Sequence, residues 1–260
     1  VEKVSAMGYG NAINALSPSE GGMAKYFSHR FSQVTNPPLD PIRESDGMTL
    51  RVALGPKVNM KTKKMPQIVI ESPVLSLDDL NKIKLQTKTP VCSFDFTFEP
   101  NHDDPKRNQV AITNRLKALS VEINEFVYSK GGGIIVLTDR MISSKRAALP
   151  MILTVSAINQ SLITAGLRFK TSIIVESGQI SSPHHVACAL GFGGSAIYSI
   201  CSEIRSVDKF SDRNQESEKN FRKACEKSLM KIMGKVGLCT VESYSGGEFF
   251  EPNYLNTKDS

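Results

Sequence analysis

Apolar positions follow two different periods along this chain, and where the period changes the chain divides. The stretch up to residue 56 is rich in loop formers. Within it Met23, Phe27, Phe31 and Val34 recur at helical spacing, so the pattern predicts a helix there. NPPLDP (36–41) ends that helix. Each proline fixes φ and biases the preceding residue towards extended backbone, which makes a stiff connector. IRESDGMTLRVAL (42–54) reads as a second short helix. Residues 57–90 form a connector with one strand and one helix. QIVIESPVLS is a short β-rich run interrupted at Pro73. LSLDDLNKIK is a helix with Ser76 as N-cap and Asp78 and Asp79 in the dipole-favoured first turn.

A regular α/β rhythm follows. VCSFDFTFEP alternates as a strand. The next stretch places Val110, Ile112, Leu116, Leu119, Ile123 and Val127 on one face of a long amphipathic helix, stopped at Gly131. GGIIVLTDR is a continuous apolar run, the signature of a parallel strand buried on both faces. Residues 150–166 predict a helix with Pro150 near its first turn. RFKTSIIVESG reads as a second buried strand, HHVACALGFGG as a helix closed by glycines, and SAIYSI as a short strand. A charged helix then runs from Gln215 to Met233, with Phe221, Cys225, Leu229 and Met233 at i, i+4 steps. This succession predicts an α/β fold of right-handed βαβ units on a mainly parallel sheet. The four or five credible strands are too few for an eight-stranded barrel. The tail from Val241 carries turn glycines and reads as truncated. Three regions result: a loop-rich segment 1–56, an α/β core 57–210, and a linker helix region 211–260.

Composition narrows the function classes. With 260 residues and 40% hydrophobic content, the chain is ordinary globular material able to bury a core. No apolar run is long enough to span a bilayer, and the N-terminus lacks the charge-then-apolar pattern of a secretory signal. It also lacks an initiator Met, which is simplest if the segment comes from a longer chain. The net charge of +6 is dispersed, the densest run being KTKKM at 61–65, and Trp is absent. Without a basic stripe interleaved with stacking aromatics, nucleic-acid binding is not expected. The five cysteines include no C-x-x-C pair, which argues against a zinc ribbon or iron–sulfur cluster within the segment. Cys188, Cys201 and Cys225 read as buried free thiols, which fits a reducing compartment. None of the four histidines stands in an H-E-x-x-H pattern, so no helical metal site is expected.

In parallel sheets, sites form outside the carboxyl ends of the strands. Three places qualify. Asp139-Arg140 follows IIVLT and either grips a polar ligand or forms local ion pairs that position the loop. VESGQISSPHHV brings Glu176, Ser182 and His184, types suited to acid–base or nucleophilic work, but Ser182-Pro183 is equally an N-cap with proline at N1. LGFGGSAIYS offers a glycine cradle for phosphate. Its glycines close a helix and precede a strand, the reverse of the dinucleotide-binding order, which favours an ordinary αβ turn.

Several strings add up to a family resemblance. FSQVTNPPLDPIRE (31–44), AMGYGNAINALS (6–17), ESPVLSLDDL, VLTDR, AINQSLITAGLR, IIVESGQISSPHHVACALGFGGSAIY (173–198) and SLMKIMGKVGLCTVESYSGGEFFE (228–251) closely resemble, in order, the central domain of the glutamate synthase large subunit. The match covers nearly the whole chain. The resemblance implies an incomplete or degenerate relative of an FMN-oxidoreductase-type TIM barrel. It implies a parent oxidoreductase that moves the amide nitrogen of glutamine onto 2-oxoglutarate, in nitrogen metabolism and ammonia assimilation. The partners implied are amidotransferase and FMN synthase domains of the same chain. The nucleophilic Cys, FMN and an iron–sulfur cluster lie in those domains, with no cofactor in this segment. The segment itself is expected to be a scaffold without catalysis of its own, cytoplasmic or plastid, and to self-associate when excised. Met7 and Gly8 inherit a place lining the 2-oxoglutarate site. The family's two acids and Thr-Pro in that loop are replaced here by Tyr9, Gly10, Asn11 and Ala12. Two other readings remain: a stand-alone small-molecule enzyme using Asp139, Arg140, Glu176 and His184, and a degenerate interaction module.

Overall fold

The computed structural model describes residues 21–30, 35–38, 40–57, 65–209 and 214–256. Its first element is a 3-10 turn, Gly22–Tyr26, which passes directly into strand β1 (Phe27–His29). The helix expected from Met23 to Val34 does not form across its first half, and Phe31 and Val34 lie outside the described residues. Tertiary pairing overrides the period: β1 pairs antiparallel with Phe250–Pro252 from the far end of the chain, and the Phe27 ring packs edge-on against Phe192 at 4.9 Å.

Helix α1 (Pro41–Gly47) starts with proline at N1. Its N-cap Asp40 accepts from the N–H groups of Ile42 and Arg43 at 3.1 and 3.0 Å. The helix stops at Gly47. The RVAL that follows, expected as its continuation, is instead strand β2 (Val52–Leu54), paired antiparallel with β3 (Ile68–Ile70). β-branched Val52, Ile68, Val69 and Ile70 suit that pairing. Helix α2 (Leu77–Leu85) begins at the predicted Ser76. Ser76 Oγ accepts from Asp79 N at 3.1 Å and Asp79 returns a bond to Ser76 N, a capping box.

VCSFDFTFEP, expected as one strand, is two: β4 (Val91–Asp95) and β5 (Thr97–Phe98). The break follows from Asp95, whose carboxylate turns back to accept from Thr97 N and Oγ at 3.0 and 2.8 Å. The long helix α3 (Pro105–Lys130) ends where Gly131 adopts φ +73. Leu119, Ile123 and Val127 bury completely, whereas Val110, in the first turns, stays 59% exposed. Then come β6 (Gly133–Thr138), β7 (Ala147–Ala148), which pairs with β5, α4 (Met151–Thr164) and, after a 3-10 turn Arg168–Lys170, β8 (Thr171–Ser177). Helix α5 (Pro183–Gly191), β9 (Ala196–Ser199), α6 (Ile200–Lys209), α7 (Asn214–Lys235), α8 (Val241–Tyr244) and β10 (Phe250–Pro252) complete the order.

The centre is a four-stranded parallel sheet ordered β4-β6-β8-β9. Register is set residue for residue, with Val136 opposite Ile174 and Glu176 opposite Tyr198. Ile134–Leu137 and Ile173–Val175 are wholly buried, as the unbroken apolar runs require of strands covered on both faces. The edge of β9 is covered by Pro73–Leu75: Ile197 N donates to Pro73 O at 2.7 Å and Leu75 N to Ile197 O at 2.9 Å. Among the described residues the sheet stays open and does not close into a barrel. On α7, Cys225, Leu229 and Met233 bury as one face; Leu229 and Met233 each contribute about 1.5–3 kcal/mol by leaving water. The tail, expected to look truncated, is ordered into α8 and β10 and returns to β1.

Candidate functional site

The carboxyl ends of the strands gather the charges that the sequence places there. Glu176, the penultimate residue of β8, has its side chain only 2% exposed. It accepts from Lys84 Nζ on α2 at 2.8 Å and from Arg140 Nε just beyond β6. Arg140 also reaches Glu203 on α6 at 2.7 Å, lies over the Tyr198 ring at 5.7 Å, and Tyr198 Oη donates to Glu203 at 2.8 Å. Two cations thus meet two carboxylates. Burial pushes the Glu176 carboxyl up, but the hydrogen bonds and charges of Arg140 and Lys84 outweigh it and hold it below its ordinary value. Burial also opposes the Arg140 charge, and Glu176 and Glu203 outweigh it, so Arg140 stays a cation. A general acid or base near neutrality needs the opposite tuning, a carboxyl raised towards 7.

Asp139 does not join this group. Its carboxylate, 1% exposed as a residue, accepts from Ser177 Oγ at 2.6 Å and Gly178 N at 2.9 Å, tying the turn after β8 to the end of β6. Burial raises its pKa, partly offset by those hydrogen bonds. His184 also lies apart: its Nε2 contacts Ala24 O at 2.9 Å and Cys188 Sγ at 3.6 Å. Ser182 caps α5 and bonds its neighbour His185, Oγ to Nδ1 at 2.6 Å, while His185 Nε2 meets Gly21 O at 3.0 Å. Of the four residues named as a polar strand-end site, the fold pairs Arg140 with Glu176; Asp139 lies beside them, its N donating to Glu176 O at 3.3 Å while its carboxylate is engaged elsewhere, and His184 contacts Ala24 and Cys188 instead. Met7 and Gly8 lie outside the described residues.

Two members of the network escaped sequence reasoning. Lys84 sits at the end of a helix whose period marks only its apolar face, so nothing local points it at Glu176. Glu203 had a usable signal, standing one turn beyond the end of strand SAIYSI where a strand-end charge is to be expected.

The backbone N–H groups of the glycine turn after α5 are all engaged within the chain. Gly193 N donates to Leu190 O at 3.0 Å, Gly194 N to Ala189 O at 2.8 Å and Ser195 N to Ile173 O at 2.6 Å. Packing explains the glycines. A Cβ on Gly191 would stand 2.4 Å from the Phe250 ring, and one on Gly194 would stand 2.7 Å from Ala189 O. The turn therefore offers no cradle of free backbone N–H groups to a flavin phosphate. Among the described residues no three His, Cys, Asp or Glu side chains converge as metal ligands, and no helix is long and apolar enough to cross a membrane.

Comparison with known proteins agrees over the length of the chain. The family described as glutamate synthase central domain matches residues 1–255. The ferredoxin-dependent glutamate synthase of Cyanidium caldarium is 35% identical over 96% of this chain, and that of Pyropia yezoensis 33% over the same share; this chain spans 17% of the length of each. The glutamate synthase [NADH] of Saccharomyces cerevisiae is 27% identical over 96% of this chain and 12% of its own length. Among solved structures, a mandelate oxidase variant with an FMN adduct aligns with TM-score 0.40 at 18% identity over 51% of this chain and 39% of that one. A flavocytochrome b2 variant with benzoylformate aligns with TM-score 0.42 at 15% identity over 69% and 39%. Those two likenesses are too slight to bear on the barrel; the sequence matches suffice, and this chain belongs to the glutamate synthase central domain family.

Proposed function

We propose that this chain is the connecting scaffold of a glutamate synthase, linking an amidotransferase domain to an FMN-dependent synthase domain and performing no reaction step with its own side chains. One observation carries the reading: at the strand ends, where a barrel enzyme keeps its reactive groups, Glu176, Glu203, Arg140 and Lys84 neutralise one another. The whole enzyme would transfer the amide nitrogen of glutamine to 2-oxoglutarate, drawing electrons from ferredoxin or NADH as the names of the relatives indicate. FMN and the iron–sulfur cluster are assigned to the neighbouring synthase domain; the engaged backbone N–H groups of the glycine turn here support that assignment for the flavin phosphate. Within the segment, 1–56 is the loop-rich N-terminal part, 57–210 is the α/β body and 211–260 leads towards the synthase domain. Met7 and Gly8 are assigned to the lining of the 2-oxoglutarate site. Location in the cytoplasm, or in a plastid as for the chloroplastic relative from Arabidopsis thaliana, fits this role.

Exposed apolar side chains support partner surfaces: Leu85 is 80% exposed, Tyr128 79% and Ile42 74%. The test is to incubate the chain with FMN, desalt it and record the visible spectrum, and separately to assay ammonia release from glutamine. No bound flavin and no ammonia are expected. A retained flavin spectrum, or glutamine hydrolysis by this segment alone, would overturn the scaffold reading in favour of a stand-alone enzyme.

A further inference from the structure

At the opposite, amino-terminal end of the sheet lies a second polar feature that the scaffold role does not use. A cavity of about 230 Å³ is lined by Arg168, Phe169, Ile163, Ser195, Lys57 and Glu242, among others. That volume falls below the ~300–1,000 Å³ of drug-sized ligand sites, so it suits a molecule of a few heavy atoms. The Arg168 guanidinium donates only to uncharged oxygens: Asn159 Oδ1 at 2.6 Å, Thr171 O at 2.9 Å and Gly193 O at 2.9 Å. Among the described residues no carboxylate lies within ion-pair distance of it. Burial alone sets its pKa, which is lowered. Across the cavity, Lys57 and Glu242 are 2.9 Å apart and cancel each other. The cavity therefore carries one uncompensated positive charge. A cation partly withdrawn from water without a counter-charge is costly, and an anion that enters relieves that cost. A guanidinium has five N–H donors in a planar fork, and three are engaged here, which leaves two for an incoming carboxylate. Ile163 and Phe169, 50% and 80% exposed, stand at the mouth of the cavity and favour an organic anion with a short aliphatic part over a fully hydrated inorganic one.

We propose that this cavity binds a small organic monocarboxylate through Arg168, with its aliphatic end against Ile163 and Phe169. The inference does not depend on the scaffold reading, since it concerns the other end of the sheet. The test uses this chain and propionate, with sodium chloride at matched ionic strength and inorganic phosphate as comparisons. Propionate is expected to raise the melting temperature saturably by about 3 °C at tenfold excess over its Kd, with no saturable rise for chloride or phosphate. Phe169→Trp puts a single tryptophan at the rim of a chain that otherwise has none, and its fluorescence should change along the same saturation curve. Ile163→Trp, at a half-exposed position, should fill the mouth and abolish the propionate shift while leaving the unliganded melting temperature nearly unchanged. Arg168→Gln should also abolish it, and Ile163→Trp keeps the test decisive should Arg168→Gln fail to fold. No saturable effect of propionate, a saturable effect of phosphate alone, or a shift that survives in Ile163→Trp would overturn the proposal.

Discussion

Arg140 and Glu176, from the ends of adjacent parallel strands, form an ion pair in which the Glu176 side chain is almost wholly buried while Arg140 remains 37% exposed. Sequence places Arg140 beside Asp139, but the two acids have separate tasks. Asp139 ties down the turn at Ser177 and Gly178, and Glu176 balances the cations. The charges at these strand ends are therefore matched within the chain.

Glu176→Gln tests this. The substitution keeps the shape and removes the charge, leaving Lys84 and Arg140 with only Glu203 to balance them. Breaking a fully buried pair costs about 3–5 kcal/mol. Because Lys84 is 30% exposed and Arg140 37%, water screens part of the repulsion, and a loss of about 2–3 kcal/mol is expected. Glu176 titrates below its ordinary value of 4.5 in the fold. Its contribution is thus fully present above that value and is lost as the pH falls through the lowered folded value. Urea midpoints at constant m, measured near pH 7 and near pH 3, read both effects. An unchanged midpoint at neutral pH would mean that the pair contributes nothing to stability.

Gly193→Ala addresses the turn. Gly193 has φ +124, and an added Cβ would lie 2.5 Å from Asn159 Cγ, the side chain that holds Arg168. Both the backbone conformation and the packing oppose the methyl group, so a loss of about 3 kcal/mol or more is expected. Gly47→Ala is the control. It meets no atom within 4 Å and has ordinary φ, and should shift stability by less than about 1 kcal/mol. Equal effects from the two substitutions, read by thermal denaturation, would remove the packing account of this turn.

The sheet was legible because a strand buried on both faces leaves a short unbroken apolar run bounded by turn signals, and GGIIVLTDR and TSIIVES are such runs. The capped starts of α2 and α5 were legible because Ser76 and Ser182 act through their own backbone neighbours. What could not be read depends on distant pairing. Phe27–His29 is a strand because residues 250–252 return to it, and Val52–Leu54 because Ile68–Ile70 lies beside it. The site divides the same way. Strand-end position singled out Arg140 and Glu176, but the arrival of Lys84 from α2 is a product of the fold alone.

Thiol reactivity follows from burial. All five cysteines are free, and only Cys239 is exposed. Burial pushes the Cys225 thiol up to about 12, with Glu226 adding to it, and raises that of Cys188 further still. Timed labelling of the native chain with a thiol reagent, read by peptide mass spectrometry, should modify Cys239 first and leave Cys188 and Cys225 unmodified until denaturant is added. Native labelling of Cys188 or Cys225 at the rate of Cys239 would contradict the burial of α5 and α7.

Acid should loosen the attachment of the segment around β1 before it affects Glu176. His29 Nδ1 faces Arg30 O at 2.7 Å and its Nε2 faces Tyr244 Oη at 3.1 Å; His185 joins Ser182 to Gly21 O. A neutral ring serves each pair, donating to the carbonyl and accepting from the hydroxyl. For both rings burial is the largest cause of a pKa below the ordinary 6.5; a backbone carbonyl partly opposes it, and His184 lowers both, with Lys235 acting on His29 as well. Above about 6.5 the rings are neutral whether folded or unfolded, so their contribution is complete. As the pH falls from there through the lowered folded values, the unfolded chain takes up protons that the folded chain refuses, and stability declines. Urea midpoints should therefore drop between about pH 7.5 and pH 5.5, above the range where Glu176 titrates. His29→Phe combined with His185→Asn should flatten that drop while lowering stability at pH 7.5, because the bonds to Tyr244 and Gly21 are weakened or lost. An equal drop in the double variant would assign the acid sensitivity to other groups.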